Sequence, residues 1–253
     1  MKTKVDEVDR NIYDFKNKDD YEFKIKKGLN KEIVEEISRQ KNDPDWMRKI
    51  RLDALAMYDK LELPTWGPDL SELKMDDIAT YVKPKSKLNS SWDDVPEDIK
   101  NTFDKLGIPD AEKKSLGGVG AQYDSEVVYH SMKEDLLKQG VIYTDMETAV
   151  KEYPEIVKEY FMKCVPISEH KFVALHAAVW SGGSFVYVPK GVKLDIPLQS
   201  YFRLNSPESG QFEHTLIIVD EGASLHFIEG CSAPKYTKVN LHAGCVELYV
   251  KDN

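Results

Sequence analysis

The chain has 253 residues, of which 31% are charged and 41% hydrophobic, and a formal net charge of −9. That length admits one large domain or two small ones. The acidic balance, with no basic block, argues against nucleic acid or an anionic membrane surface as the main partner. Cys164, Cys231 and Cys245 make no disulfide framework, and no apolar run approaches the roughly 18–20 residues of a membrane span. The N-terminus, Met1 to Glu7, has neither an apolar signal core nor the acid-poor character of a transit peptide. A reduced, cytoplasmic compartment is the simplest reading.

Residues 1–28 are charged and aromatic without clear periodicity, and predict an extended arm with a short strand or helix. Asn30 is a good N-cap for a helix burying Ile33, Val34 and Ile37. Asp43-Pro44 predicts a restart, with Asp43 as N-cap and Trp46, Met47, Ile50, Ala54, Met57, Tyr58 and Leu61 as core positions. Leu63 to Pro68 breaks the helix, and residues 69–95 read as short helical turns. A helix from about Pro96 to Leu106 places Ile99, Phe103 and Leu106 inward and stops at Gly107.

Ser115 to Gly120 reads as a Gly-rich loop. It lacks the Gly-Lys-Ser/Thr ending of a phosphate cradle, so a turn or a close backbone approach explains it better than ATP binding. Ser125 to Tyr129 is a candidate strand. Residues 132–163 return to helix, punctuated by Gly140 and Pro154, with Asp145 as an N-cap. Composition shifts near Pro166, from charged helices to β-branched residues and glycines. Residues 1–169 carry a net −8 and residues 170–253 only −1. The expected division is a mainly helical domain over 1–168 and a β domain over 169–253.

The β region repeats. Phe185 to Ile196 superimposes without gaps on Leu216 to Phe227 at an offset of 31 residues, and a third copy starts at Leu248. Each copy is an apolar run, a polar pair, a Gly and a second run. A strand–turn–strand unit of this size cannot bury its apolar face alone, so copies must stack. The pattern predicts a parallel β-helix, with an antiparallel sandwich as the other architecture it fits. The third copy is unfinished, which predicts part of a longer solenoid.

No CxxC, no zinc HxxxH pair and no nucleophile elbow is present. Cys231, just after a strand of the second repeat, offers a thiolate that could ligate soft metal or carry sulfur, or a small buried hydrophobe. Alternation puts Arg203 and Asn205 on one face of a strand, either lining a polar interior or lying at the surface. His214, His226 and His242 with Glu213 and Glu229 suggest a cupin-like metal site, but the expected HxH pair is missing. Cys164 and Cys245 read as packing residues.

Three stretches carry a family resemblance: Ile37 to Met47, Gly118 to His130, and Leu175 to Val192, joined by Tyr201 to Asn205. They resemble the SufB branch of the SufB/SufD family of iron–sulfur cluster assembly proteins, over nearly the whole chain. The resemblance implies an α+β fold: an N-terminal helical domain, then a right-handed parallel β-helix that is incomplete at its C-terminal end. It implies a scaffold of the SUF complex rather than an enzyme turning over a small substrate. The implied partners are a SufC-type ATPase, a SufD-type paralogue, a sulfur-transfer protein and a cysteine desulfurase. A transient iron–sulfur cluster is the implied cofactor, with a flavin possible at the level of the complex. Arg203 and Asn205 fall on tunnel residues of the family. Cys231 falls on a family cysteine, as a candidate sulfur relay and Fe–S ligand. The family's later coils, helical C-terminal domain and principal sulfur-accepting cysteine have no counterpart in residues 1–253. Two rivals stand beside this reading: a β-helix hydrolase or lyase acting on polysaccharide, and an interaction module that binds SufD-type partners without assembling clusters.

Overall fold

The computed structural model describes residues 14–67, 69–106 and 116–252. Residues 1–13 of the expected arm, the helix stop Gly107 and Ser115 lie outside them. The chain is a mixed α+β protein. Its first described strand, β1 (Tyr21–Lys24), pairs antiparallel with β2 (Val82–Pro84). Helix α1 (Lys31–Lys41) starts where Asn30 accepts the Ile33 N–H at 2.9 Å, and ends at Asn42 in the left-handed region. It buries Ile33, Val34 and Ile37 as its spacing predicts.

Helix α2 (Asp45–Tyr58) has Pro44, not Asp43, at its N-cap. Asp43 is committed elsewhere: its carboxylate accepts from Arg51 Nε at 2.7 Å, and both side chains are buried. Arg51 also donates to the Trp180 carbonyl at 2.9 Å and lies over the Trp180 ring. It thereby satisfies a carbonyl at the end of α7 (Lys171–Val179), whose last C=O groups have no helical partner. The face that docks α2 on α7 is therefore apolar at Met47 and Ala54, with a buried cation between them.

Residues 69–95 form single 3-10 turns at Met75–Asp77 and Trp92–Asp94, with β2 between. Helix α3 (Glu97–Lys105) buries Ile99 and Phe103. The expected Gly-rich loop is instead the start of β3 (Gly118–Tyr123), paired antiparallel with β4 (Glu126–Met132). The glycines serve a close approach. A Cβ on Gly118 would lie 2.7 Å from the Tyr143 ring, and one on Gly120 2.9 Å from its hydroxyl. Packing against Tyr143 overrides the poor strand propensity of glycine. The expected helical stretch 132–163 is also interrupted. It contains α4 (Glu134–Lys138), β5 (Ile142–Asp145), α5 (Met146–Glu152) and α6 (Pro154–Tyr160). Asp145 caps α5, accepting the Thr148 N–H at 2.9 Å.

Seven strands follow α7: β6 (Ser184–Val188), β7 (Leu198–Arg203), β8 (Gly210–Gln211), β9 (His214–Val219), β10 (Phe227–Ser232), β11 (Leu241–His242) and β12 (Cys245–Val250). They pair in parallel. One sheet has the order β12-β9-β6-β5, another β10-β7-β3-β4, and a short one β11-β8. The sequence repeat is the strand register: Phe185 pairs with Leu216 and Leu248 with Ile217, both 31 residues apart. The β7–β10 ladder runs at 29 instead, Leu198 to Phe227. Gly191 and Gly222 sit at positive φ, 75° and 65°, in successive turns stacked through the Gly191 N–H and Glu221 carbonyl. The two four-stranded sheets meet through apolar residues such as Val186, Leu198 and Ile217, and through Ser184, Ser200 and Tyr143.

Candidate functional site

Cys231 lies within β10, not after it, and is exposed in this chain. Its register partner is Phe202, while Arg203 pairs with Ser232. Successive residues of a strand point to opposite faces, so Cys231 and Arg203 diverge. The neighbours of Cys231 come from the adjoining coils. Glu213, between β8 and β9, has Oε1 3.9 Å from Cys231 Sγ, and the same oxygen meets His242 Nε2. The donor atoms of Glu213, Cys231 and His242 all lie within 4.8 Å of one another. Glu213 is 2% exposed, and its second oxygen is buried without a hydrogen-bond partner.

Electrostatics favour charge on the imidazole of this cluster. Partial burial opposes charge on His242, but hydrogen bonds and charge from Cys231 and Glu213 outweigh it and raise its pKa to about 10. Glu229, two residues before Cys231, is pushed up by burial and by Glu213, against a 2.7 Å hydrogen bond donated by the Thr215 hydroxyl. A sulfur, an imidazole and a carboxylate oxygen without a partner make a donor set suited to iron or zinc.

Arg203 and Asn205 form a separate buried cluster. The Arg203 guanidinium lies 4.7 Å from the Phe15 ring and donates to the Phe15 carbonyl. Asn205 Oδ1 accepts the Asn17 N–H at 3.1 Å, and its own N–H donates to Asp124 at 2.7 Å. Asp124 sits in the left-handed region, with φ 52°, and also accepts Ser206 N–H at 2.9 Å. Burial raises the Asp124 pKa to about 6, against the hydrogen bonds from Ser206 and Asn205. The fold thus brings Arg203 and Asn205 together beneath residues 15–17, and does not bring them to Cys231.

A third cluster was not evident from spacing. His176 from α7, His214 from β9 and Cys245 from β12 have donor atoms within 4.8 Å of one another. His176 Nε2 is 3.0 Å from His214 Nδ1, and His214 Nε2 is 3.2 Å from Glu247 Oε2. Glu247 also accepts the N–H groups of Met162, Lys163, Cys164 and Val165 at 2.5–3.0 Å. Burial, then the neighbouring His214, pushes His176 down to about 3. Burial pushes the Cys245 thiol up to about 12, with Glu247 and Cys164 adding to it. The expected cupin-like set is therefore split: Glu213 and His242 go to Cys231, His214 goes to Cys245, and His226 belongs to neither cluster. Cys164, expected to pack, is exposed. The offset of 31 was the available signal for the third cluster, because it sets Cys245 over His214.

A thiol set among an acid and an imidazole, on parallel strands, is a donor set of the kind that suits sulfur or metal chemistry. A family model described as "SufBD protein N-terminal region" matches residues 29–200. A second, "SUF system FeS cluster assembly, SufBD core domain", matches residues 202–253. The chain belongs to the SufBD family of the SUF iron–sulfur cluster assembly system. It is similar to the iron–sulfur cluster assembly protein SufB of Bacillus subtilis (strain 168), at 55% identity over 99% of this chain and 54% of that protein. An iron–sulfur cluster assembly SufBD family protein of Staphylococcus aureus (strain MRSA252) is 54% identical over the same shares. The chain spans about half the length of the curated relatives it matches. No helix among the described residues is long and apolar enough to cross a membrane.

Proposed function

We propose that this chain is the N-terminal part of a SUF scaffold subunit that accepts or relays sulfur through Cys231 and helps hold a nascent iron–sulfur cluster. The observation that carries the proposal is the Glu213–Cys231–His242 cluster. In the relay step the Cys231 thiolate attacks the outer sulfur of a donor persulfide. The donor S–S bond breaks, the donor leaves as a thiolate, and the persulfide now stands on Cys231. A positive His242 beside the sulfur favours both anions. Iron, as the cargo, would meet sulfur, nitrogen and oxygen donors from Cys231, His242 and Glu213.

Arg203 and Asn205 belong to this reading as residues of a polar approach beginning under residues 15–17. Their contribution is separable from that of Cys231, since the two groups face opposite ways. The parallel ladders support a right-handed β-helix whose first coils occupy residues 169–253. Strands β3, β4 and β5, which precede residue 169, join its sheets. The assembly would include a SufC-type ATPase and a SufD-type paralogue, fed by a sulfur-transfer protein and a cysteine desulfurase in the cytoplasm. The relatives' names refer to iron–sulfur clusters and not to flavin.

Anaerobic reconstitution of the full-length protein tests this reading. The wild type retains iron and sulfide, and Cys231→Ser retains less while its circular dichroism is unchanged. Equal retention by the two returns Cys231 to a packing role. Retention by neither leaves the interaction module as the better reading.

A further inference from the structure

The two rings of the third cluster face each other in a way that hydrogen bonding alone does not complete. His176 Nδ1 lies 2.8 Å from the Ala243 carbonyl, which can only accept, so this nitrogen carries hydrogen and Nε2 presents a lone pair. His214 Nε2 faces the Glu247 carboxylate, which is held as an acceptor by four backbone N–H groups. The contact, 3.2 Å long, falls outside hydrogen-bond geometry and leaves His214 Nε2 buried without a partner, but a lone pair there would be repelled by the carboxylate, so the nitrogen carries hydrogen and His214 Nδ1 presents the lone pair. The two lone pairs meet at 3.0 Å, in a buried place. A positive charge held between them, a proton or a metal ion, relieves the repulsion.

From this geometry we propose a metal site that takes a divalent first-row cation, zinc or ferrous iron, on His176 Nε2, His214 Nδ1 and Cys245 Sγ. The outer contacts match what ligating histidines require: one ring is oriented by a carbonyl, the other by a carboxylate. A proton could bridge the rings, but it would leave the third donor, Cys245 Sγ, which lies within 4.8 Å of a nitrogen of each ring, without a role. Metal–nitrogen bonds of about 2.0–2.1 Å set tetrahedral nitrogens about 3.3 Å apart, so the rings need to separate only slightly. The ligands come from α7, β9 and β12, so the ion pins a helix to two successive coils. The fourth position is open to water or a further donor. No ligand is shared with the Cys231 cluster, so the two sites can fail independently.

Cobalt(II) titration of the chelator-treated full-length protein tests the site. In a Cys231→Ser background, which removes the thiol of the other cluster, one equivalent should bind with a thiolate-to-cobalt charge-transfer band. There Cys245→Ser should abolish the band and His176→Gln should weaken binding by about tenfold or more. Absence of a Cys245-dependent band overturns the proposal and leaves the bridging proton. A band lost with Cys231→Ser alone also overturns it. A second measurement needs no variant: zinc should slow alkylation of Cys245 in the wild type, read by peptide mass, and an unchanged rate counts against the site.

Discussion

Gly244 and Glu213 are a matched pair across adjacent coils: a Cβ on Gly244 would lie 2.5 Å from Glu213 Oε1. The oxygen that contacts Cys231 and His242 thus occupies the place of a side chain. Gly244→Ala should push the carboxylate off both partners. Overpacking of this kind costs about 1–3 kcal/mol. Denaturant unfolding checks the cost, and loss of iron retention checks the displacement.

His242 should titrate far above an ordinary histidine. Its pKa is raised from 6.5 to about 10, so its stabilising contribution is complete below about pH 6.5 and lost as pH rises through about 10. NMR titration of the ring should show this. Cys231→Ser and Glu213→Gln should each bring the midpoint down, and an unmoved midpoint would remove these residues as its cause.

Asp124 has the same sign for a different reason. Its carboxyl is raised from 3.8 to about 6 by burial, so the protonated form suits the fold better. Its contribution is complete below about pH 3.8 and falls as pH rises through about 6, by about 3 kcal/mol at most. Asp124→Asn should flatten this part of the stability–pH curve, measured by urea unfolding from pH 4 to 7.

Arg51→Met should be among the most damaging changes outside the cysteine clusters. It leaves Asp43 buried without its partner and uncaps the end of α7. Breaking one side of a buried pair costs about 3–5 kcal/mol. Asp43→Asn with Arg51→Met should recover part of that loss, which a double-mutant cycle would read.

The strand ladders were legible because period and register are one quantity: stacking copies at an offset of 31 puts Phe185 against Leu216. The Cys231 cluster was not. The β7–β10 ladder runs at 29, two short of the repeat, so no single offset predicts what faces Cys231. Gly118 and Gly120 read as a loop because their reason, the ring of Tyr143, comes from a distant strand. Arg51 sat unnoticed within an apolar stripe, since helical spacing marks a buried face but not a buried charge. Alternation correctly separated Arg203 from Phe202, but burial of the Tyr201 and Arg203 face of β7 came from residues 15–17 and α3, which spacing cannot place.

Glu247 acts as a proofreading device for strand pairing. A slip of β12 by one residue would turn its carboxylate to the opposite face of the sheet. The N–H groups of residues 162–165 would lose their shared acceptor together, a penalty of several kcal/mol falling on a single mistake. A flat run of valines and leucines would forgive such a slip, because each neighbour resembles the next. One acid in the row makes a single alignment of the coil recognisable to the chain as it folds.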